Sequence, residues 1–362
     1  MLNLQKFIKE NPDWEAKLSG KPYFVKVKRD DGYVMFSYNQ IESDFATPIV
    51  QECRGIILLD GNFKSVCVPF FKFFNAGEPH AHNIDWGSAV VQEKLDGSLI
   101  KVWHDKEWRV STNGTIDARK ATLGNSVCKF ENFGELFVEA CRINNFTFDG
   151  LDKGYTYMFE LVSPHNKIIV HYGDIDIYHI GTRNNKTLSE LDVNIGIKKP
   201  KVYPLRTLEG CERAAKDLPF NDEGYVVVDK DFNRVKIKSP EYVRVHRLGN
   251  NGVMTINRII EIIRLGEQAE FLTYYPEYKG LIDDVSAKID AVIDSLAQIA
   301  KELGMQNFET QKDFALAVKD LQLNAFYFKW YKNREISAKD WVWQNPNDRI
   351  ERFIEGVNSE QK

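Results

Sequence analysis

Residues 93–98 read Glu-Lys-Leu-Asp-Gly-Ser, with alternating apolar positions before and after them. The run sets one lysine, Lys94, at the end of an expected strand directly before a tight turn, where its amine meets a ligand instead of trailing in solvent. A lysine so placed is a candidate covalent nucleophile. An ammonium has no lone pair, so Lys94 attacks only after losing its proton. Burial in a cleft and neighbouring cations both favour the neutral amine. If the strand runs through position 96, Lys94 and Asp96 face the same way, because side chains repeat every two residues. Asp96 then lies beside whatever Lys94 reacts with, for example a ribose hydroxyl. Gly97 permits the close backbone approach of a turn over a nucleotide. The plainer reading is a strand ending in an Asp-Gly turn.

The segments around this run carry charges that fit the same chemistry. Tyr157-Met158-Phe159-Glu160-Leu161-Val162 puts a single carboxylate, Glu160, among apolar residues, and Glu223 stands at the mouth of the strand Gly224–Val228. Val235-Lys236-Ile237-Lys238-Ser239 alternates apolar with basic, so Lys236 and Lys238 share a face. Upstream, Cys53-Arg54-Gly55 leads into the strand Ile56–Leu59, and Lys72 sits inside the aromatic run Phe70–Phe74. Arg54, Lys72, Lys236 and Lys238, two lone carboxylates and an Asp-Gly turn are what a polyphosphate and a divalent metal need around a reactive lysine. Each has a duller alternative. Lys236 and Lys238 also suit the solvated face of an edge strand, and the phenylalanines suit core packing. Glu160 is harder to dismiss, because a buried carboxylate must meet a cation, a metal or a proton.

In this order the motifs resemble the covalent nucleotidyltransferases, and more closely the RNA ligase 1 family of the T-even bacteriophages. The resemblance rests on Phe36-Ser37-Tyr38-Asn39, Glu52-Cys53-Arg54-Gly55-Ile56, Lys72-Phe73-Phe74-Asn75, Glu93-Lys94-Leu95-Asp96-Gly97, Pro164-His165-Asn166-Lys167-Ile168 and Lys236-Ile237-Lys238-Ser239, and it runs to about Tyr242. It implies an ATP-dependent RNA ligase. Lys94 attacks the α-phosphate of ATP, AMP passes to an RNA 5′-phosphate, and a 3′-hydroxyl displaces AMP to close the phosphodiester. It further implies that Lys94, Asp96, Glu160, Glu223, Lys236 and Lys238 are catalytic. Tyr38, Arg54, Lys72, Phe74, Glu93, Gly97, Gly224 and Tyr242 then complete the nucleotide site, and Glu160 and Glu223 order Mg2+ through water. One departure is visible: Asn113 stands before Gly114 where the T-even enzyme has a lysine, and Lys120 or Arg119 is expected to substitute. The resemblance also suggests a broken RNA loop, such as a cleaved tRNA, as substrate.

Composition bounds this reading. Across 362 residues, 48 basic against 52 acidic side chains give a net charge of −4, so RNA contact must come from a local patch. The stretch from Arg234 through Lys236, Lys238, Arg244, His246 and Arg247 to Arg258 is the best candidate. Five cysteines, at 53, 67, 128, 141 and 211, show neither disulfide nor metal spacing, and the start lacks a signal peptide, so a reducing cytoplasm is expected. No segment approaches a membrane span. No kinase P-loop occurs, so a separate end-healing kinase/phosphatase must supply 5′-phosphate and 3′-hydroxyl ends. A monomer is expected. A GTP-using capping-type transferase and a non-catalytic RNA-binding protein are the alternatives from other classes.

The pattern predicts a mixed α+β fold of mainly antiparallel sheets with flanking helices over residues 1–245, and a small all-helical domain for RNA recognition over 246–362. In the first part, turns at Asp31-Gly32, Asp60-Gly61 and Asn113-Gly114 punctuate the strands, and helices are expected over Ala118–Lys129 and Gly134–Arg142. In the second, Ile256, Ile259, Ile260 and Ile263 share one helical face, and so do Val285 to Leu303, ending at Gly304 as a C-cap. Thr310 with Asp313 outlines a capping box, Pro346 begins the last helix, and residues 358–362 should fray. Trp330, Tyr331, Trp341 and Trp343 are stacking or packing candidates.

Overall fold

The computed structural model describes residues 1–123, 129–166, 169–248 and 254–356. The chain divides into two units, Met1–His246 and Arg247–Lys362. The first is α+β. Its opening sheet pairs β1 (Lys26–Asp30), β2 (Tyr33–Ser37), β3 (Arg54–Leu59) and β4 (Ser65–Cys67) antiparallel in chain order. Asp30 faces Tyr33 across a two-residue turn, and Asp31 and Gly32 both have positive φ (49° and 79°), the mirror-image turn that an Asp-Gly pair favours. Helices α1 (Asn3–Glu10) and α2 (Trp14–Ser19) bury Leu4, Ile8 and Leu18 against Val34, Phe36, Ile56 and Leu58. Glu52 closes α3 (Pro48–Glu52) and accepts the backbone N–H groups of Asn3 and Leu4 at 2.9 and 2.8 Å. These are donors that the first turn of α1 leaves unpaired.

Two further sheets follow. One contains β7 (Ser98–His104), β8 (Trp108–Thr112), β9 (Tyr155–Val162), β10 (Asp176–Asn184) and β11 (Glu190–Leu191) in the order β11-β10-β9-β7-β8. Helix α4 (Phe133–Ile143) packs Leu136, Phe137 and Ala140 on it. The other contains β5 (Phe74–Asn75), β6 (Val90–Glu93), β12 (Val202–Tyr203), β13 (Gly224–Val228) and β14 (Arg234–Lys238) in the order β12-β6-β13-β14-β5. It is covered by α5 (Leu208–Lys216) and followed by α6 (Pro240–Leu248). The β5–β14 pairing is parallel, and the other pairings of these sheets are antiparallel.

A buried ionic triad ties these two sheets. Glu190 in β11 pairs with Arg183 of β10 and, at 2.6 Å, with Arg234 of β14. The two guanidinium groups lie 4.2 Å from the centres of the Phe71 and Phe70 rings. The aromatic run that flanks Lys72 therefore packs where the two sheets meet, as the plainer reading of those phenylalanines had it.

The second unit is helical: α7 (Ile256–Leu265), α8 (Gln268–Tyr274), α9 (Lys279–Gly304), α10 (Gln311–Val318), α11 (Asn324–Lys332), α12 (Ala338–Trp343) and α13 (Asn347–Ile354). Ile259, Ile260 and Ile263 are buried as one face, and so are Val285, Ile289, Leu296 and Leu303. Thr310 and Asp313 form the reciprocal capping box. Trp341 is buried and stacks on Phe353, while Tyr331 stacks on Phe314 with centres 4.0 Å apart, so these two rings serve packing.

Two local expectations need correction. Within the helix expected over 118–129, the described residues 118–123 form only a 3-10 turn at Ala118–Lys120, because the Asp117 carboxylate takes the Arg119 N–H and Thr122 then bridges to Asn132; residues 124–128 lie outside the described residues. Gly304 lies inside the last turn of α9 and is no left-handed cap; the cap is Met305, in right-handed helical geometry. The last helix begins at Asn347 as expected, with Pro346 as its N-cap. Cys128, Lys167, Ile168 and the tail from 357 lie outside the described residues.

Removing Glu190 leaves two buried guanidinium groups facing each other. Glu190→Ala should cost about 3–5 kcal/mol, read as a lowered urea midpoint for the first unit's transition. An unchanged midpoint would show that the triad contributes nothing.

Candidate active site

Strand β6 ends at Glu93 and β7 begins at Ser98, which leaves Lys94 on the first residue of a connecting turn. Its backbone N–H donates to the Gly224 carbonyl at 2.8 Å, and its Nζ donates to Glu223 Oε2 at 2.8 Å. Glu223 is buried, and its other oxygen lies 3.2 Å from Lys238 Nζ. Gly224 makes this possible. Its φ is +132°, and a Cβ there would stand 2.2 Å from the Ile237 carbonyl oxygen, so only glycine lets β13 begin this close to β14 and deliver the carboxylate. Burial would push the Glu223 carboxyl up, but the ammonium groups of Lys94 and Lys238 outweigh it and hold it below the usual range.

Lys94 opens onto a cavity of about 270 Å³, also lined by Arg54, Glu93, Gly97, Asn113 and Glu160. Glu160 Oε1 accepts the Gly97 N–H at 3.1 Å. Burial lifts its carboxyl to about 7; the charge of Lys94 opposes the rise and that of Glu223 adds to it. Gly97 has no room for a side chain, since a Cβ would meet the Leu161 carbonyl oxygen at 2.5 Å. The close approach that this glycine permits is thus to β9 itself. Arg54 begins β3, and its guanidinium lies over Phe73 at 5.2 Å. Its Nη1 is buried with no hydrogen-bond partner among the described residues. A buried guanidinium nitrogen without an acceptor is costly unless an anion arrives.

Other expected site residues form a second tier. Lys238 also sits 5.7 Å from the centre of the Tyr242 ring, whose hydroxyl donates to Asp96 Oδ1 at 2.8 Å. Asp96 Oδ2 accepts the N–H groups of Ile169 and Val170 at 2.9 and 2.7 Å. The strand does not carry through position 96, so the two-residue alternation with Lys94 fails. Asp96 is buried and organises the Ile169–Val170 backbone and α6. Lys72 lies 5.3, 4.7 and 5.5 Å from the ring centres of Tyr38, Phe45 and Phe74. This aromatic box does not line the Lys94 cavity, although Phe74 belongs to β5, which pairs with β14 beside Lys236.

Two substitutes and one patch fall elsewhere. Lys120 pairs with Asp30 and Arg119 with Asp117, so neither replaces a lysine at position 113. Of the basic stretch after β13, Arg234 is buried on Glu190 and Arg244 pairs with Glu241. The side chains of His246 and Arg247 lie outside the described residues.

Sequence reasoning missed Lys101. It is fully buried in β7 and donates to the Gly55 carbonyl at 2.5 Å. Burial lowers it to about 8, with Cys67 opposing the shift. Gly55, at φ +74°, has Lys101 Nζ and the Asn113 carbonyl oxygen 2.9 and 2.7 Å from where a Cβ would be. Lys101 therefore holds the strand start that aims Arg54. The signal was present: a lysine between Ile100 and Val102 on a buried strand demands a partner.

A family model described as RNA ligase matches residues 52–242, which hold Arg54, Lys94, Glu160, Glu223 and Lys238. The chain belongs to the RNA ligase family. An RNA ligase of Rhodothermus phage RM378 is 24% identical over 88% of this chain and 89% of its own length. A protein of Autographa californica nuclear polyhedrosis virus, named as a bifunctional polynucleotide kinase/RNA ligase, is 30% identical over 71% of this chain, which spans 40% of that relative. An archaeal ATP-dependent RNA ligase structure aligns over 98% of this chain and 99% of its own at a TM-score of 0.47 and 14% identity. Among the described residues no helix is long and apolar enough to cross a membrane.

Because the folded protein holds the Glu160 proton more tightly than the unfolded chain does, ionising Glu160 costs stability. The loss grows as pH rises from the ordinary carboxylate range through about 7. Glu160→Gln should therefore melt close to the parent at low pH and progressively above it towards pH 8, in thermal scans of both proteins. A parallel pair of curves would contradict the assignment.

Proposed function

We propose that this RNA ligase family member joins RNA 3′-hydroxyl and 5′-phosphate ends at the expense of ATP, through an adenylate carried on Lys94. The supporting observation is the Lys94–Glu223–Lys238 array at a cavity where Arg54 offers a buried, unpartnered donor. The Lys94 amine attacks the α-phosphorus, forming an N–P bond as the P–O bond to pyrophosphate breaks. Arg54 receives the outgoing phosphates and Lys238 the α-phosphate charge. An RNA 5′-phosphate oxygen then displaces Lys94, and a 3′-hydroxyl displaces AMP.

Glu160 and Glu223 suit a magnesium ion that keeps most of its waters, which would neutralise phosphate charge. Glu223 cannot hold Lys94 and serve a cation with the same oxygen. Its release frees the Lys94 amine for the attack. Tyr38, Phe45 and Phe74 present aromatic faces beside β14, where Lys72 reaches the phosphates once it leaves its box. Asp96 and Tyr242 position α6 and Lys238. The end-healing step belongs to a separate kinase/phosphatase, and the reading takes a broken, structured RNA such as tRNA as substrate, with the helical unit contributing its recognition. The enzyme works as a monomer in the reducing cytoplasm, a setting that suits four buried free thiols.

Incubation with ATP and magnesium should add one AMP, located on Lys94 by peptide mass spectrometry and absent from Lys94→Ala. Lys238→Ala should slow labelling by about a hundredfold or more. Glu223→Ala should fold, judged by its melting transition, yet fail to seal. Label from GTP in preference to ATP would favour a capping-type transferase, and no label from either would sink the enzymatic reading.

A further inference from the structure

A second cleft lies at the opposite end of the sheet from Lys94. It encloses about 590 Å³, and its rim carries Lys64, His104, Asp105, Lys153 and Lys186. The lysines come from three separate connections: the β3–β4 turn, the approach to β9 and the β10–β11 turn. None of the three forms an ion pair with a described residue, whereas Lys120, Lys198, Lys199 and Lys230 of the same unit each hold a carboxylate. Asp105, the lining carboxylate, is engaged by the Tyr33 hydroxyl at 2.9 Å, and neighbouring Asp152 accepts the Gly154 N–H at 2.7 Å. His104 is held below its ordinary range by burial and by the charge of Lys153.

The floor of the cleft is built, not loose. Asn185, nearly buried, donates to the Val66 carbonyl at 2.8 Å and accepts the Thr156 hydroxyl at 2.6 Å. Its backbone carbonyl takes the Ser65 hydroxyl at 2.7 Å, and its N–H donates to the Gly154 carbonyl. One residue therefore fixes the three connections that present the lysines. A protein of net charge −4 that gathers three lysines, none of them in an ion pair with a described residue, against one lining carboxylate, Asp105, around a concave, hydrogen-bonded floor presents a locally cationic seat for a polyanion.

We propose that this cleft is a second RNA contact, gripping phosphodiester groups of the strand being sealed away from the reaction centre; the proposal rests on the RNA ligase reading above. From Gly154 to Glu160 along β9 is about 20 Å at the ordinary strand rise, so the grip lies several nucleotides from the ends being joined. The contact is to phosphates and therefore indifferent to sequence.

The test is the salt dependence of binding to a single-stranded RNA, measured by fluorescence anisotropy without nucleotide. Combined Lys64→Ala, Lys153→Ala and Lys186→Ala should reduce the slope of log affinity against log salt by about 2, the counterion release of three single-strand phosphate contacts. Lys9→Ala, Lys21→Ala and Lys216→Ala together, at exposed lysines elsewhere, should leave the slope as in the parent. An unchanged slope in the first triple variant with an unchanged melting temperature overturns the proposal. So does an effect confined to poly-glutamate, which would mark a seat for an acidic peptide. Because no nucleotide is present, failure of Lys94 labelling and failure of this slope test are read separately.

Discussion

One carboxylate shared by two ammonium groups governs this molecule. Glu223 is buried between Lys94 and Lys238, and each of the three would be untenable there alone. An isolated buried charge costs several kcal/mol, and a pair repays that only with good geometry. The surrounding architecture supplies the geometry. Gly224 starts β13 at a φ that no other residue tolerates, β6 and β14 flank it, and Tyr242 steadies Lys238 from α6. The array carries one positive charge in excess, a standing attraction for an anion, and the bond that holds Lys94 in place must open before its amine can attack.

A second layer of support is covalently remote from the chemistry. Lys101 reaches across to Gly55 and sets the direction of Arg54, whose buried Nη1 has no acceptor among the described residues. Asp96 spends both oxygens on backbone and tyrosine donors. Its neighbourhood with Lys94 in sequence reflects a turn that anchors the Ile169–Val170 backbone and α6 as well as one that carries a nucleophile. The family match spans residues 52–242, and Lys94, Glu160, Glu223 and Lys238, on which the proposed chemistry rests, all lie within it.

The elements carrying strong periodicity were legible from the residues. Glu160 in its apolar strand, Glu223 at a strand mouth and Lys236 with Lys238 on β14 required only two-residue alternation, and the isoleucine face of α7 and the capping box of α10 required only helical spacing. What was not legible depended on contacts distant in the chain. Thr122 bridges to Asn132, ten residues on, so the described residues 118–123 hold only a 3-10 turn where a helix was expected. Lys120 and Arg234 look like phosphate ligands in a list of residues, yet each has a carboxylate from a distant segment, Asp30 and Glu190, while Arg119 and Arg244 pair locally with Asp117 and Glu241. Lys101 is hidden for the opposite reason, since a lysine in an apolar run reads as solvent-facing until the neighbouring sheet buries it.

The Arg183–Glu190–Arg234 triad has a mechanical consequence. Sliding or parting the two sheets would strand a guanidinium in an apolar gap beside Phe70 and Phe71, so hinge motion across that seam is expensive. The walls of the pocket are accordingly stiff. In the proposed reaction, the change that readies Lys94 is therefore an exchange of ion-pair partners, sensitive to ionic strength, with the two sheets held in register.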